Sequence, residues 1–119
     1  DESAWTAMRE EVLKAAEKGD SVGGVIECAV AGIPAGVGDP FFDSLESRLA
    51  HMVFSVPAVK GVQFGKGYEF AEMNGSKAND PFRVVDGRVV TSTNNNGGIL
   101  GGITTGMPVI FDASRTPWT

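Results

Sequence analysis

The sequence predicts an α+β fold in which helices lie on one face of a mostly antiparallel sheet. Three observations carry this. First, two stripes of apolar residues recur at helical spacings of three and four: Trp5, Met8, Val12 and Ala15/Ala16, then Phe42, Leu45, Leu49, Met52 and Val53. Second, β-favouring runs lie between and after these stripes, at residues 22 to 32, 59 to 72 and 109 to 111. Third, Asp86-Gly87 joins Phe82–Val85 to Arg88–Thr91 in the manner of a type I′ hairpin. The order is α-β-α-β, a hairpin, a glycine-rich segment and β. That is an α+β pattern, or one layer of a β-α-β sandwich.

Each element has its own signals. The first helix is expected over residues 4 to 18, with Ser3 as its cap and Gly19 as its stop. Val22, Val25, Ile26, Cys28 and Val30 are apolar on both faces of the next strand, so a strand covered on both sides is the simplest reading. Gly32 to Gly38 is glycine- and proline-rich, hence a loop. Asp39-Pro40 then looks like a helix start, cap followed by first helical residue, and the helix should end near Ser55, ahead of Pro57. Gly65 and Gly67 should break the strand at 59 to 72, and residues 73 to 81 have loop composition. Val109, Ile110 and Phe111 make a final strand.

The chain has 119 residues, which predicts a single domain over 1–119 that buries roughly two-thirds of its unfolded surface. No apolar run approaches the roughly 18 residues of a membrane span, and no signal peptide is visible. The one cysteine, Cys28, cannot form an internal disulfide, which fits a reducing, cytoplasmic setting. With a net charge of -5 and ten scattered Lys and Arg, the chain is a poor nucleic-acid partner, because such binding rests on cations at phosphates. Any phosphorylated ligand would need positive charge from elsewhere.

Several blocks are informative together. They are Gly19 to Gly24 leading into Val25-Ile26-Glu27-Cys28, Ile33 to Pro40 with Phe42-Asp43, and Ser55 to Val62 followed by Phe64-Gly65-Lys66-Gly67. Gly75-Ser76 with Asn79-Asp80 follows, and then Asn94 to Ile103 with Gly106. In this order and spacing, residues 19 to 111 resemble an internal stretch, in the second half, of chorismate synthase. The resemblance implies a β-α-β sandwich and a homotetramer. It also implies an enzyme that eliminates phosphate from 5-enolpyruvylshikimate 3-phosphate, by 1,4-anti elimination, with reduced FMN required although no net oxidation occurs. The family's Gly-Glu-Ser-His and Gly-His-Ala-Asp segments, which hold two catalytic histidines, have no counterpart here. Neither do its arginine-serine block and its Arg-His-Asp-Pro segment. From Asp112 onward the match fades, and Arg115 to Thr119 is a weak echo of a flavin-touching Lys-Pro-Thr run.

The resemblance marks Pro57, Ala58, Asn94 and Gly101 as FMN contacts, with no catalytic residue and no metal ligand. Each has a plainer reading. In its plainer reading Pro57 merely ends a helix. Gly101 lies in a glycine-rich turn that is neither a Walker A loop nor Gly-x-Gly-x-x-Gly. The amide of Asn94, like those of Asn95 and Asn96, suits either a flavin edge or the bracing of a loop. Lys60 reads as a solvated strand-end lysine, His51 as a helix-surface residue and Cys28 as a small core residue. The expected function is a chorismate synthase segment that supplies part of a flavin pocket wall and is inactive alone. The alternative is a non-catalytic stand-alone module or a complementing subunit. In either case uncovered apolar surface should drive homo-oligomerisation.

Overall fold

A computed structural model describes residues 1–117. Helix α1 spans Glu2–Glu17, two residues earlier than its apolar stripe suggests, because Asp1 and not Ser3 is the cap: its carboxylate accepts the Ser3 N–H at 3.0 Å. The stop is as expected. Gly19 has φ +67, its N–H donates to the Ala16 carbonyl, and the Asp20 N–H donates to that of Ala15, the two bonds of a Schellman motif.

Strand β1 (Gly24–Val30) is followed by the predicted loop. The second helix, α2 (Leu45–Phe54), starts later than Asp39-Pro40 implies. Pro40 is extended, residues Phe41–Asp43 form a single 3₁₀ turn, and Ser44 caps α2 by accepting the Ser47 N–H at 3.1 Å. A serine hydroxyl in the right place outcompetes the Asp-Pro signal. The end at Ser55 is as read. Strand β2 (Val59–Phe64) stops at Gly65, and a 3₁₀ segment, Gly67–Glu72, replaces its expected continuation. A one-turn helix, α3 (Gly75–Ala78), sits in the segment read as loop. The β3 (Phe82–Val85) and β4 (Arg88–Thr91) hairpin forms around Asp86 and Gly87, both at positive φ. A second, unpredicted hairpin follows: β5 (Ile99–Leu100) and β6 (Ile103–Thr104) around Gly101-Gly102. Strand β7 (Val109–Arg115) is longer than read.

The main sheet has the order β1-β7-β2, wholly antiparallel, with the last strand in the middle. Its register puts Cys28, Phe111 and Phe64 in one row and Glu27, Asp112 and Gln63 in the next, pointing to the opposite face. The first face carries the core. Ile99, Val109 and Phe111 are buried there, and Leu45, Leu49 and Val53 of α2 pack against them with Cys28, Val62 and Phe64. Phe64 and Phe111 meet with ring centroids 5.7 Å apart.

Much of the apolar surface is uncovered. Trp5, Met8 and Val12 of α1 are all exposed, as are Phe42 and Met52, which were expected on the inner stripe of α2. Strand β1 is covered on neither face at Val25 or Ile26, because it is an edge strand with nothing packed outside it among the described residues. The accessible surface is 8607 Å², where a compact monomer of this mass shows about 6,200 Å². The radius of gyration is 17.3 Å against about 13.5 Å for a compact domain of this length. The chain therefore buries roughly half of its unfolded surface, not two-thirds.

Candidate functional site

The loop after β4 is built around one buried carboxylate. Asp80 is 4% exposed and takes four hydrogen bonds. Its Oδ1 accepts from the Thr93 hydroxyl and the Asn95 backbone N–H, both at 2.7 Å; its Oδ2 accepts from the Asn96 backbone N–H at 2.8 Å and the Asn96 side-chain amide at 2.9 Å. Burial pushes the carboxyl pKa up, but the donors from Thr93, Asn96 and Asn95 outweigh it, and the net shift is downward. Asn95 donates its side-chain amide to the Lys77 and Ala78 carbonyls, which closes the end of α3. The loop is also pressed into the sheet. Lys66 N–H donates to the Asn95 carbonyl at 2.7 Å, Gly65 N–H to Ile110, and Ile110 N–H to Gly97.

This geometry divides the three asparagines. Asn95 and Asn96 brace the loop, as their plainer reading had it. Asn94 donates to the Pro108 carbonyl at 2.9 Å and borders a groove of about 230 Å³ on the sheet face opposite the core. The groove's charged residues are Glu27, Glu69, Asp112 and Lys66, and Lys66 is ion-paired to Glu69 at 2.9 Å. It is acidic and repels a phosphate.

Gly101 occupies the tip of the β5–β6 hairpin at φ +58, and a Cβ placed on it would meet nothing within 4 Å. Its neighbour Gly102 is locked down: its carbonyl accepts the Leu45 N–H at the start of α2, and a Cβ there would strike Ser44 at 2.7 Å. The hairpin thus presents bare, accessible backbone on a fixed base.

Pro57-Ala58 forms a tight bend at the other end of α2. Val59 N–H donates to the Val56 carbonyl, and Ala58 sits at φ +69, where alanine is strained. The Ala58 carbonyl accepts the Thr116 N–H at 2.9 Å, just past the end of β7. Ten residues of α2 separate this bend from the Gly101 hairpin, a span of roughly 15 Å. Asn94, tied to Pro108 at the start of β7, is farther from it still, roughly 25 Å along the strand. So Asn94 and Gly101 lie at one end of the sheet and Pro57-Ala58 at the other. One copy of these residues does not gather them into a single pocket.

The remaining candidates keep their plainer roles. Cys28 is partly buried against the core. His51 is exposed on α2. Lys60 is exposed beside the bend and makes no ion pair among the described residues. No metal-binding cluster occurs among the described residues. Trp118 and Thr119, part of the expected echo of a flavin-touching run, lie outside them. Sequence reasoning missed Asp80 as a hub, because its partners Thr93, Asn95 and Asn96 lie 13 to 16 positions away and no local pattern links them to it.

Comparison with known proteins extends the match beyond residues 19 to 111. The family profile described as chorismate synthase covers residues 1–119. The chorismate synthase of Thermococcus gammatolerans is 57% identical over 117 residues, 98% of this chain and 33% of that protein. That of Thermococcus kodakarensis is 51% identical over the same length. A crystal structure of chorismate synthase superimposes with a TM-score of 0.90 at 32% identity, covering 96% of this chain and 35% of that one. The chain spans about a third of the length of the relatives it matches. The strand Asp112–Arg115, which looked divergent in sequence, pairs with both neighbouring strands, with a bulge in β2 between Val59 and Gly61, and lies within the match. From α1 to the last strand, the chain belongs to the chorismate synthase family.

Proposed function

We propose that this chain builds part of the wall of an FMN site in a chorismate synthase, the enzyme that eliminates phosphate from 5-enolpyruvylshikimate 3-phosphate to give chorismate. The observation that carries the reading is the Gly101 hairpin: positive φ, no atom within 4 Å of the missing Cβ, and a base fixed by the Gly102–Leu45 hydrogen bond. A flat ring can rest against such backbone, which a side chain would hold off. The Pro57-Ala58 bend is a second candidate, with alanine held in a strained conformation of the kind found at ligand sites.

The fit is to the uncharged part of the cofactor. Lys14, Arg48 and Lys66 are each tied to a nearby carboxylate, and the groove beside Asn94 is acidic. At the groove beside Asn94, phosphate-binding cations would come from outside this chain. When bound, reduced FMN would supply the electron-rich cofactor that the family's elimination requires without net oxidation. The role of this chain is to position and shield. Its one histidine, His51, is exposed on α2. The distance between Pro57-Ala58 and Gly101 adds a condition: the two bends serve different flavins, or one flavin only if it spans roughly 15 Å. A homo-oligomer, cytoplasmic like the pathway it would serve, accommodates the first arrangement.

The test is a graft. The matching third of the T. gammatolerans relative is replaced by this chain, and flavin binding and chorismate release are followed. Saturable FMN binding with turnover supports the reading. A folded graft that leaves flavin free sinks it.

A further inference from the structure

We infer that Asp80 is the positioning residue for the flavin contacts at the Asn94 and Gly101 end of the sheet: it sets the loop that carries Asn94 and leads into the Gly101 hairpin. The inference rests on the flavin reading proposed above. All four partners of the Asp80 carboxylate are donors, from three residues of one loop: Thr93, Asn95 and Asn96. No cation takes part. The buried charge is balanced by that loop alone, so the loop is ordered by the charge. The same loop is fastened to the sheet where β2 ends, through hydrogen bonds from Lys66 N–H to the Asn95 carbonyl and from Ile110 N–H to the Gly97 carbonyl. Displacing it moves Asn94 and the glycines Gly97 and Gly98 that open the Gly101 hairpin.

The chemistry requires aspartate at this position. Asparagine has the same shape, but its amide nitrogen carries two hydrogens and no acceptor. Whichever way it is turned, that nitrogen faces two donors. Asp80→Asn therefore breaks two of the four bonds and weakens the other two, while disturbing neither α2 nor the core.

The experiment uses the grafted enzyme with FMN as the probe. In Asp80→Asn the Asn95 and Asn96 amides should exchange with solvent at least about tenfold faster, and the FMN dissociation constant should rise about tenfold. Turnover at saturating FMN should stay within about twofold, because Asp80 touches no reacting group. Loss of fold would lower the active fraction without changing the flavin affinity of the rest, so the dissociation constant separates positioning from simple destabilisation. Thr93→Val, which removes one donor, should raise the constant about threefold and serves if Asp80→Asn does not fold. Asp86→Asn, on the exposed β3–β4 turn, should change nothing. Unchanged flavin affinity in Asp80→Asn, or in Thr93→Val where it must stand in, overturns the inference, as do amides that stay protected. A parent graft that binds no FMN overturns the flavin reading itself, and is recognised by failing before any substitution.

Discussion

Gly97 and Gly65 touch through bare backbone: a Cβ on Gly97 would stand 2.5 Å from the Gly65 nitrogen and 2.6 Å from the Ile110 carbonyl oxygen. This contact lets the loop after β4 pack against β7 just past the end of β2. Gly97→Ala should cost roughly 2–4 kcal/mol, from overpacking added to the strain of φ +63. Chemical denaturation of the variant checks the figure.

Gly101 is the contrasting case. Its φ is similarly positive, at +58, but its surroundings are open. Gly101→Ala should cost only about 1 kcal/mol, the backbone term alone. The pair Gly97→Ala and Gly101→Ala thus separates a glycine required by packing from one that folding tolerates losing.

Ala58 is strained at φ +69 with its carbonyl fixed by Thr116. Ala58→Gly should stabilise the chain by up to about 1 kcal/mol, and Ala58→Val should destabilise it. A rise in Tm for the first and a fall for the second would establish that the bend, and not Pro57 alone, sets the geometry there.

Asp80 makes stability depend on acid. Its folded carboxyl titrates below the ordinary 3.8. The stabilisation is therefore complete above that value and is lost as pH falls from about 3.8 through the lower, folded pKa. Urea midpoints measured from pH 6 down to pH 2 should fall in this window. In Asp80→Asn that part of the fall should be missing.

The exposed Trp5, Met8 and Val12 of α1, with Phe41, Phe42, Val25 and Ile26, predict self-association or binding of an apolar dye by the isolated chain. Light scattering that reports a monomer at high concentration, with no dye binding, would contradict this.

Local chemistry made much of the fold legible. Asp86-Gly87 fixed one hairpin, Gly19 the end of α1, and the Leu45, Leu49, Val53 spacing the buried side of α2. What was not legible depended on competition or on distance. Ser44 displaced Asp39 as a cap because helix starts are decided by which oxygen reaches the N–H groups. The Gly101-Gly102 hairpin was hidden in a glycine-rich run, although a Gly-Gly pair between two apolar residues is itself a turn signal. That β7 would be central, and that Asp80 would gather Thr93, Asn95 and Asn96, depends on residues more than a dozen positions apart. No local pattern reports such contacts. The candidate flavin residues came from resemblance; nothing in their own periodicity marked Ala58 or Gly101.

The most direct measurement is an FMN titration of the grafted enzyme and its Gly101→Ala form, with unfolding followed in parallel. The account predicts saturable binding by the parent and at least about tenfold weaker binding by the variant, with only about 1 kcal/mol lost in stability. Equal flavin affinity in the two proteins, or a folded parent that binds none, would contradict it.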